Sequence, residues 1–209
     1  MANSGTSCRK FPNYPKTLKQ AAGQVLDSIP IIIGGHSISP GKYHNNVYKF
    51  DKISHSWQQL GSLAKARSMH TSIIMNGGIW IIGGWNSPAK STEIIYSNGT
   101  ITAGPELPSD HGAGPCALAL DTGSIIIMGG GYGGKKTTYY NPVTQAFSSG
   151  PNMINKHDRF ACAHFYSDKH SGRPVILSAG GQAGATAEIY DYTIVGAGWE
   201  HSMYFHIYC

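Results

Sequence analysis

The sequence predicts an all-β fold in which four-stranded antiparallel units, repeated four times, stack radially against one another. Three observations carry this prediction: a double glycine at near-constant spacing, apolar segments too short for helices, and turn residues placed between them. Short apolar runs end in Gly-Gly at Ile31-Ile32-Ile33-Gly34-Gly35, Ile81-Ile82-Gly83-Gly84, Ile126-Ile127-Met128-Gly129-Gly130 and Ile176-Leu177-Ser178-Ala179-Gly180-Gly181. The first glycines stand 49, 46 and 51 residues apart, so units of this length account for nearly all 209 residues. A period near 50 residues marks a repeat architecture in which no unit buries its faces alone.

Each unit has the same internal order. Upstream of the Gly-Gly strand lies a first strand of small and apolar residues, within Lys19 to Leu26, His70 to Met75, Cys116 to Leu120 and Cys162 to Tyr166. A third strand follows, and its segments stack without gaps as Asn46-Val47-Tyr48-Lys49, Glu93-Ile94-Ile95-Tyr96, Thr138-Tyr139-Tyr140-Asn141 and Glu188-Ile189-Tyr190-Asp191. This alignment puts Tyr48, Ile95, Tyr140 and Tyr190 in one column. Trp57, Phe147 and Trp199 then mark a fourth strand. The segments are five to eight residues long, β-branched or aromatic, and bounded by Gly, Asn, Asp, Ser or Pro, which is the pattern of strands. Asn76-Gly77-Gly78 and Asn98-Gly99 suit type I′ hairpin turns, and Asp121-Thr122-Gly123 plays the same part in the third unit.

Composition narrows the function. The 27 glycines are near twice the usual share but follow no three-residue period, so a collagen helix is excluded. The net charge of +5 comes from scattered residues, with Lys135-Lys136 the densest cluster. No basic run interleaves with aromatics, so nucleic acid is not expected as a partner. The N-terminal residues lack the apolar core of a secretion signal and no apolar run approaches 18 residues. Neither a membrane nor the secretory route is therefore expected, and a cytoplasmic setting is slightly favoured. The Asn98-Gly99-Thr100 sequon reads as a tight turn rather than a glycan site. Cys8, Cys116, Cys162 and Cys209 are far apart with no CxxC, so neither a zinc site nor a dense disulfide framework is indicated. Cys8 and Cys209, near the ends, pair only in an oxidising setting.

The chain resembles kelch-repeat proteins. The resemblance rests on the double glycine, the tyrosine some 13 residues on, the tryptophan about 9 later, and Arg67-Ser68-Met69-His70 leading into the next unit. It covers about residues 18 to 192 and implies a β-propeller of about four kelch blades, at 18–66, 67–112, 113–158 and 159–192. Departures are the missing Trp in the second fourth-strand, Ala113 and Cys116 in place of Arg and His, and loss of the pattern after Tyr192. The signature residues are Gly34, Gly35, Tyr48, Trp57, Gly83, Gly84, Gly129, Gly130, Tyr140, Gly180, Gly181 and Tyr190. Their expected role is packing: glycine lets inner strands crowd together, and rings fill the gaps between diverging blades. Kelch propellers most often have six blades, so closure is open. Residues 1–17 resemble the tail of an outer strand, Phe11-Pro12-Asn13-Tyr14-Pro15 matching Leu60-Gly61-Ser62-Leu63, and in one reading complete the last blade. In the other, residues 193–209 are an altered remnant of a longer family member.

The leading functional expectation is a non-enzymatic module whose loops hold a protein or peptide partner, with no catalytic residue, no cofactor and no metal. The recognition candidates are the loops at 36–45, 109–115, 153–160 and 167–174. Arg67 and Arg159, at matching places before the first strands, suit bidentate grip of a carboxylate, with His70, His111 and His157 as further partner contacts. His70, Cys116 and Cys162 share an inner-strand column, which a metal set or simple burial both explain. No BTB-like helical region precedes the repeats, so an adaptor role of kelch relatives that carry one is not implied. The alternative is a sugar-active enzyme, oxidase-like or mutarotase-like, or its inactive descendant. The oxidase form needs two His, two Tyr and a Cys cross-linked to a Tyr, and no spacing here singles out such a set.

Overall fold

A computed structural model describes residues 11–88, 90–131 and 134–202. Cys8 and Cys209 lie outside the described residues. Four four-stranded antiparallel sheets follow one another along the chain. Blade 1 holds β1 (Ala22–Leu26) and β2 (Ile29–Ile33), then a small hairpin of β3 (His36–Ser37) and β4 (Lys42–Tyr43), then β5 (Asn46–Asp51) and β6 (Ser56–Ser62). Blade 2 holds β7 (Thr71–Met75), β8 (Gly78–Ile82), β9 (Thr92–Tyr96) and β10 (Ile101–Ala103). Blade 3 holds β11 (Pro115–Ala119), β12 (Ile125–Gly129), β13 (Thr137–Asn141) and β14 (Ala146–Ser149). Blade 4 holds β15 (Ala161–Ser167), β16 (Arg173–Ala179), β17 (Ala187–Tyr190) and β18 (Glu200–His201). The only helical pieces among the described residues are two single 3-10 turns, Asp168–His170 and Gly181–Ala183.

Because each blade is a meander, its connections divide between two faces. Inter-blade linkers and the connections after each Gly-Gly lie at one face, the top; the hairpins between first and second and between third and fourth strands lie at the bottom. The 167–174 connection is therefore a bottom hairpin joining β15 to β16, and does not share a face with the other three predicted recognition loops.

Strand alternation gives each blade two faces, and three inter-blade junctions are built from them. Ile31, Ile33 and Val47 of blade 1 pack on Ile79, Ile81 and Ile95 of blade 2. Trp80 and Ile82 of blade 2 pack on Ile125, Ile127 and Tyr140 of blade 3. Ile126 and Met128 of blade 3 pack on Ile176, Tyr190 and Trp199 of blade 4. Leu63, Leu107 and Met153, one from each linker, are buried in the three junctions in turn. Burying each such aliphatic side chain contributes about 1.5–3 kcal/mol, so the junctions rather than the single blades supply the core.

Strand register corrects the predicted aromatic column. Counted from the backbone pairs that close each second strand on its third, Phe50 and not Tyr48 is level with Ile95, Tyr140 and Tyr190. All four of those residues are buried, whereas Tyr48 is half-exposed and sits level with Glu93, Thr138 and Glu188. The longer connection after Gly34-Gly35, which contains β3 and β4, displaces the count by two residues. Of the predicted turns, Asn76 and Gly77 both have positive φ, but at Asn98-Gly99 only Gly99 does, its N–H bonding the Tyr96 carbonyl. That turn is a bulged one, not type I′.

The inner strands pack in sequence, β1 on β7, β7 on β11 and β11 on β15, with no comparable contact from β15 back to β1. The sheets thus form an arc that is not closed. Residues 11–17 contain no strand and do not reach blade 4: Phe11 lies against Phe50 and Trp57, and Tyr14 against Tyr48 and Trp57, all on blade 1. Tyr14 stands four residues before Leu18, as Leu63 stands four before Arg67, so the segment enters blade 1 as the linkers enter later blades.

Candidate functional site

Three of the five predicted contact residues form one repeated device inside the blades. Arg67, His111 and His157 are fully buried. Each bonds the carbonyl of the first glycine of its own blade's pair: Arg67 Nη1 donates to Gly83 at 3.0 Å, His111 Nδ1 to Gly129 at 2.9 Å and His157 Nδ1 to Gly180 at 3.0 Å. Each also reaches the level third-strand residue, respectively Glu93 at 2.8 Å, Thr138 at 2.8 Å and Glu188 at 3.2 Å. The Glu93 and Glu188 carboxylates in turn accept from the linker N–H groups of Ala64, Ile154 and Asn155. The device thus fixes the end of the second strand, the start of the third and the incoming linker at once. Burial lowers the Arg67 pKa and the Glu93 carboxylate opposes that shift. Burial also lowers the His111 pKa, so a neutral ring with hydrogen on Nδ1 donates to Gly129 while Nε2 accepts from the Thr138 hydroxyl. These side chains are occupied and shielded inside the blades, not presented at the surface as the sequence reading expects.

His70 is also buried, between Gly34 of blade 1 and Gly84 of blade 2. Burial and the Arg67 charge lower its pKa to about 3, against only weak help from the Ile33 carbonyl, and neither ring nitrogen makes a hydrogen bond of good geometry. The predicted column of His70, Cys116 and Cys162 does not exist as one set. His70 falls level with Pro115, while Cys116 and Cys162 form a disulfide between the inner strands of blades 3 and 4, with Cα atoms 6.3 Å apart. Their placement on neighbouring inner strands was visible in the repeat alignment, but pairing depends on which way each strand turns its side chains. With both bonded to each other, neither is available for a Cys–Tyr cross-link.

Arg159 is different. By register it matches Met69, not Arg67, and it stands at the top, where a backbone ladder crosses from blade to blade. Met69 N–H donates to the Gln20 carbonyl at 3.0 Å, Gly114 N–H to Met69 at 2.6 Å and Arg159 N–H to Gly114 at 2.9 Å. All four residues have positive φ, between 52° and 71°. Holding three non-glycine residues there costs about 1 kcal/mol or more apiece, which the ladder offsets. Of the ladder residues, Met69 and Arg159 line the mouth of the central opening. There Tyr43, Met69, Trp85, Asp158, Arg159 and Gln182, with Ala113 and Gly131, line a cavity of about 410 Å³ to which all four blades contribute. Arg159 is exposed and lies 3.5 Å from Asp158. With its amide turned to suit both neighbours, Gln182 bridges them, its nitrogen donating to Asp158 at 3.2 Å and its oxygen accepting from Arg159. Trp85 is 46% exposed at this mouth. Tyr43 falls in the predicted 36–45 recognition loop, and Trp85 and Gln182 each follow a Gly-Gly pair directly, but no residue pattern singled out these three side chains as a set.

Charge is divided between the faces. At the top, exposed cations run from Lys19 and Lys42 through Lys65 and Lys90 to Lys135, Lys136, Lys156 and Arg159, against Glu106, Asp110 and Asp158. The bottom hairpins instead carry Asp27, Asp51, Asp121, Asp168 and Asp191, against Lys52, Lys169 and Arg173. At Asp191, hydrogen bonds from Thr193 and Arg173 overcome the effect of burial and lower the pKa.

No family model matches the sequence. Kelch-like protein 36 of Mus musculus and that of Rattus norvegicus are each 24% identical over 147 residues, covering 64% of this chain and 24% of theirs. The chain therefore spans about a quarter of the length of these curated relatives. Among solved structures, that of YjhT superposes with a TM-score of 0.68 at 16% identity, over 92% of this chain and 69% of the other. Four in-phase repeats, four four-stranded blades and these likenesses together show a propeller-type fold and support the resemblance to kelch-repeat proteins.

Proposed function

We propose that the chain is a non-enzymatic interaction module that holds an acidic segment of a protein partner at the top face, over the mouth lined by Arg159, Trp85 and Tyr43. The observation that carries this reading is the coincidence of the concave mouth with the basic face. A guanidinium with free donors suits a carboxylate, and exposed aromatics beside it suit an apolar neighbour of that carboxylate. The surrounding lysines raise the association rate of an acidic partner without fixing its pose. Beneath the mouth, Arg67, His111 and His157 are buried and bonded within the blade wall, so binding specificity falls to the loops. Kelch-like relatives make a protein partner the natural class.

The test is an array of peptides graded in net charge, probed with wild-type protein and with Arg159→Ala and Trp85→Ala. Binding is expected to favour acidic peptides, to weaken as salt rises, and to fall at least tenfold in both variants. Retention of wild-type preference by both variants contradicts the reading.

A further inference from the structure

The two ends of the arc are the two halves of the junction that the chain builds three times within itself. The residue two places before each Gly-Gly faces the preceding blade. Ile81, Ile127 and Ser178 at that position are fully buried, while Ile32 of blade 1, which has no preceding blade here, is only half-buried. The residue three places before each Gly-Gly faces the following blade. Ile31, Trp80 and Ile126 are buried there, while Leu177 of blade 4 is only half-buried. Around Ile32 lie Pro30 and the 60%-exposed Val25; around Leu177 lie Ile189 and the 38%-exposed Phe165.

The backbone repeats the same statement. Each internal junction is spanned by the ladder through Gln20, Met69, Gly114 and Arg159, and by a second set in which Gly35, Gly84 and Gly130 N–H donate to Arg67, Gly112 and His157 at 2.7–2.9 Å. At the ends, among the described residues, the Arg159 carbonyl and Gly181 N–H of blade 4 and the Gln20 N–H and Leu18 carbonyl of blade 1 have no inter-blade partner. Donor matches acceptor and apolar face matches apolar face. Both halves reside on one chain, yet its own curvature does not bring β15 to β1.

We propose that a second copy of this chain supplies the missing half, its blade 1 docking on the blade 4 of the first in a head-to-tail contact. The Gln20 N–H of one copy then meets the Arg159 carbonyl of the other, Gly181 N–H meets Leu18, and Ile32 packs beside Leu177. Such a contact is heterologous: it uses two different surfaces and propagates unless the assembly closes on itself. An unpaired junction of this kind is also the type of apolar surface that soluble chains cover.

Head-to-tail docking makes a distinctive prediction for variants that block one half each. Ile32→Lys removes the blade 1 face and Leu177→Lys the blade 4 face, and both positions are half-exposed, so circular dichroism is expected to match wild type. In sedimentation velocity across a hundredfold concentration range, wild type is expected to exceed monomer mass. Each variant alone is expected to stay monomeric. An equimolar mixture of the two is expected to form a two-chain species, because each retains the half the other lost. Wild type that is monomeric at every concentration, single variants that associate like wild type, or a mixture that stays monomeric each overturns the proposal.

Discussion

Arg67 and Arg159 stand in similar sequence surroundings, ahead of first strands of the second and fourth repeats, and the fold gives them opposite work. Arg67 is sealed in the blade wall with its guanidinium divided among Gly83, Ser91 and Glu93. Arg159, two positions later in the structural count, projects into an open mouth with one long ion pair. Two residues of register separate a structural strut from a binding group. The lesson is that a repeat family's polar residues divide by level: those aligned with the third strand's Glu93, Thr138 and Glu188 hold the blade, and those on the ladder above it face outward.

The largest expected effect lies in the wall. Glu93→Ala leaves the buried Arg67 charge uncompensated and is expected to cost about 3–5 kcal/mol in urea denaturation, whereas breaking the neutral His111–Thr138 bond with Thr138→Ala costs about 1–3 kcal/mol. Equal losses would mean that charge burial is not what distinguishes the two struts.

Acid probes the same wall at His70. Its folded pKa, near 3, lies below the ordinary value of 6.5, so the unfolded chain binds the extra proton first. The stability that the neutral ring confers is complete above about pH 6.5 and is lost as pH falls through the window down to about 3, at up to about 1.4 kcal/mol per pH unit. The lowered His111 pKa acts in the same direction. His70→Leu is expected to flatten the slope of unfolding free energy between pH 6 and 4 by about one proton, and an unchanged slope would show that His70 titrates normally.

Next comes the staple between blades 3 and 4. The Cys116–Cys162 bond spans 46 residues of sequence, and chain-entropy arguments put its contribution at about 4 kcal/mol, with measured values commonly lower. The Cys116→Ser, Cys162→Ser double variant is expected to lose about 2–4 kcal/mol of stability while keeping peptide binding, since neither cysteine lines the mouth. The smallest effect is expected at the mouth itself, where Arg159→Ala changes stability by less than about 0.5 kcal/mol.

Much of the fold was legible in the sequence because the Gly-Gly pairs are backbone requirements. Gly130 has φ of +93° and a side chain there would run into the His111 carbonyl, so the position tolerates little else. The division of the molecule into four blades followed directly. Level within the blade was harder to read, because a gapless stacking of the third strands cannot see that the connection after Gly35 is longer than the others. That error placed Tyr48 in the packing column that belongs to Phe50, and the same blindness to register paired Arg159 with Arg67. Trp80, fully buried at the blade 2 and 3 junction, carried a plain apolar signal but no repeat signature. The mouth was least legible, since Tyr43, Trp85 and Gln182 meet only when four blades are set around one axis.

The measurement that bears most directly on this division of labour is a pair of titrations against one acidic peptide chosen from the array, using Arg159→Ala and Thr138→Ala proteins at a temperature where both are fully folded. The account predicts that Arg159→Ala keeps wild-type stability and loses at least tenfold in affinity, while Thr138→Ala loses stability and binds like wild type. The reverse pattern, or equal effects of the two substitutions on both quantities, would contradict it.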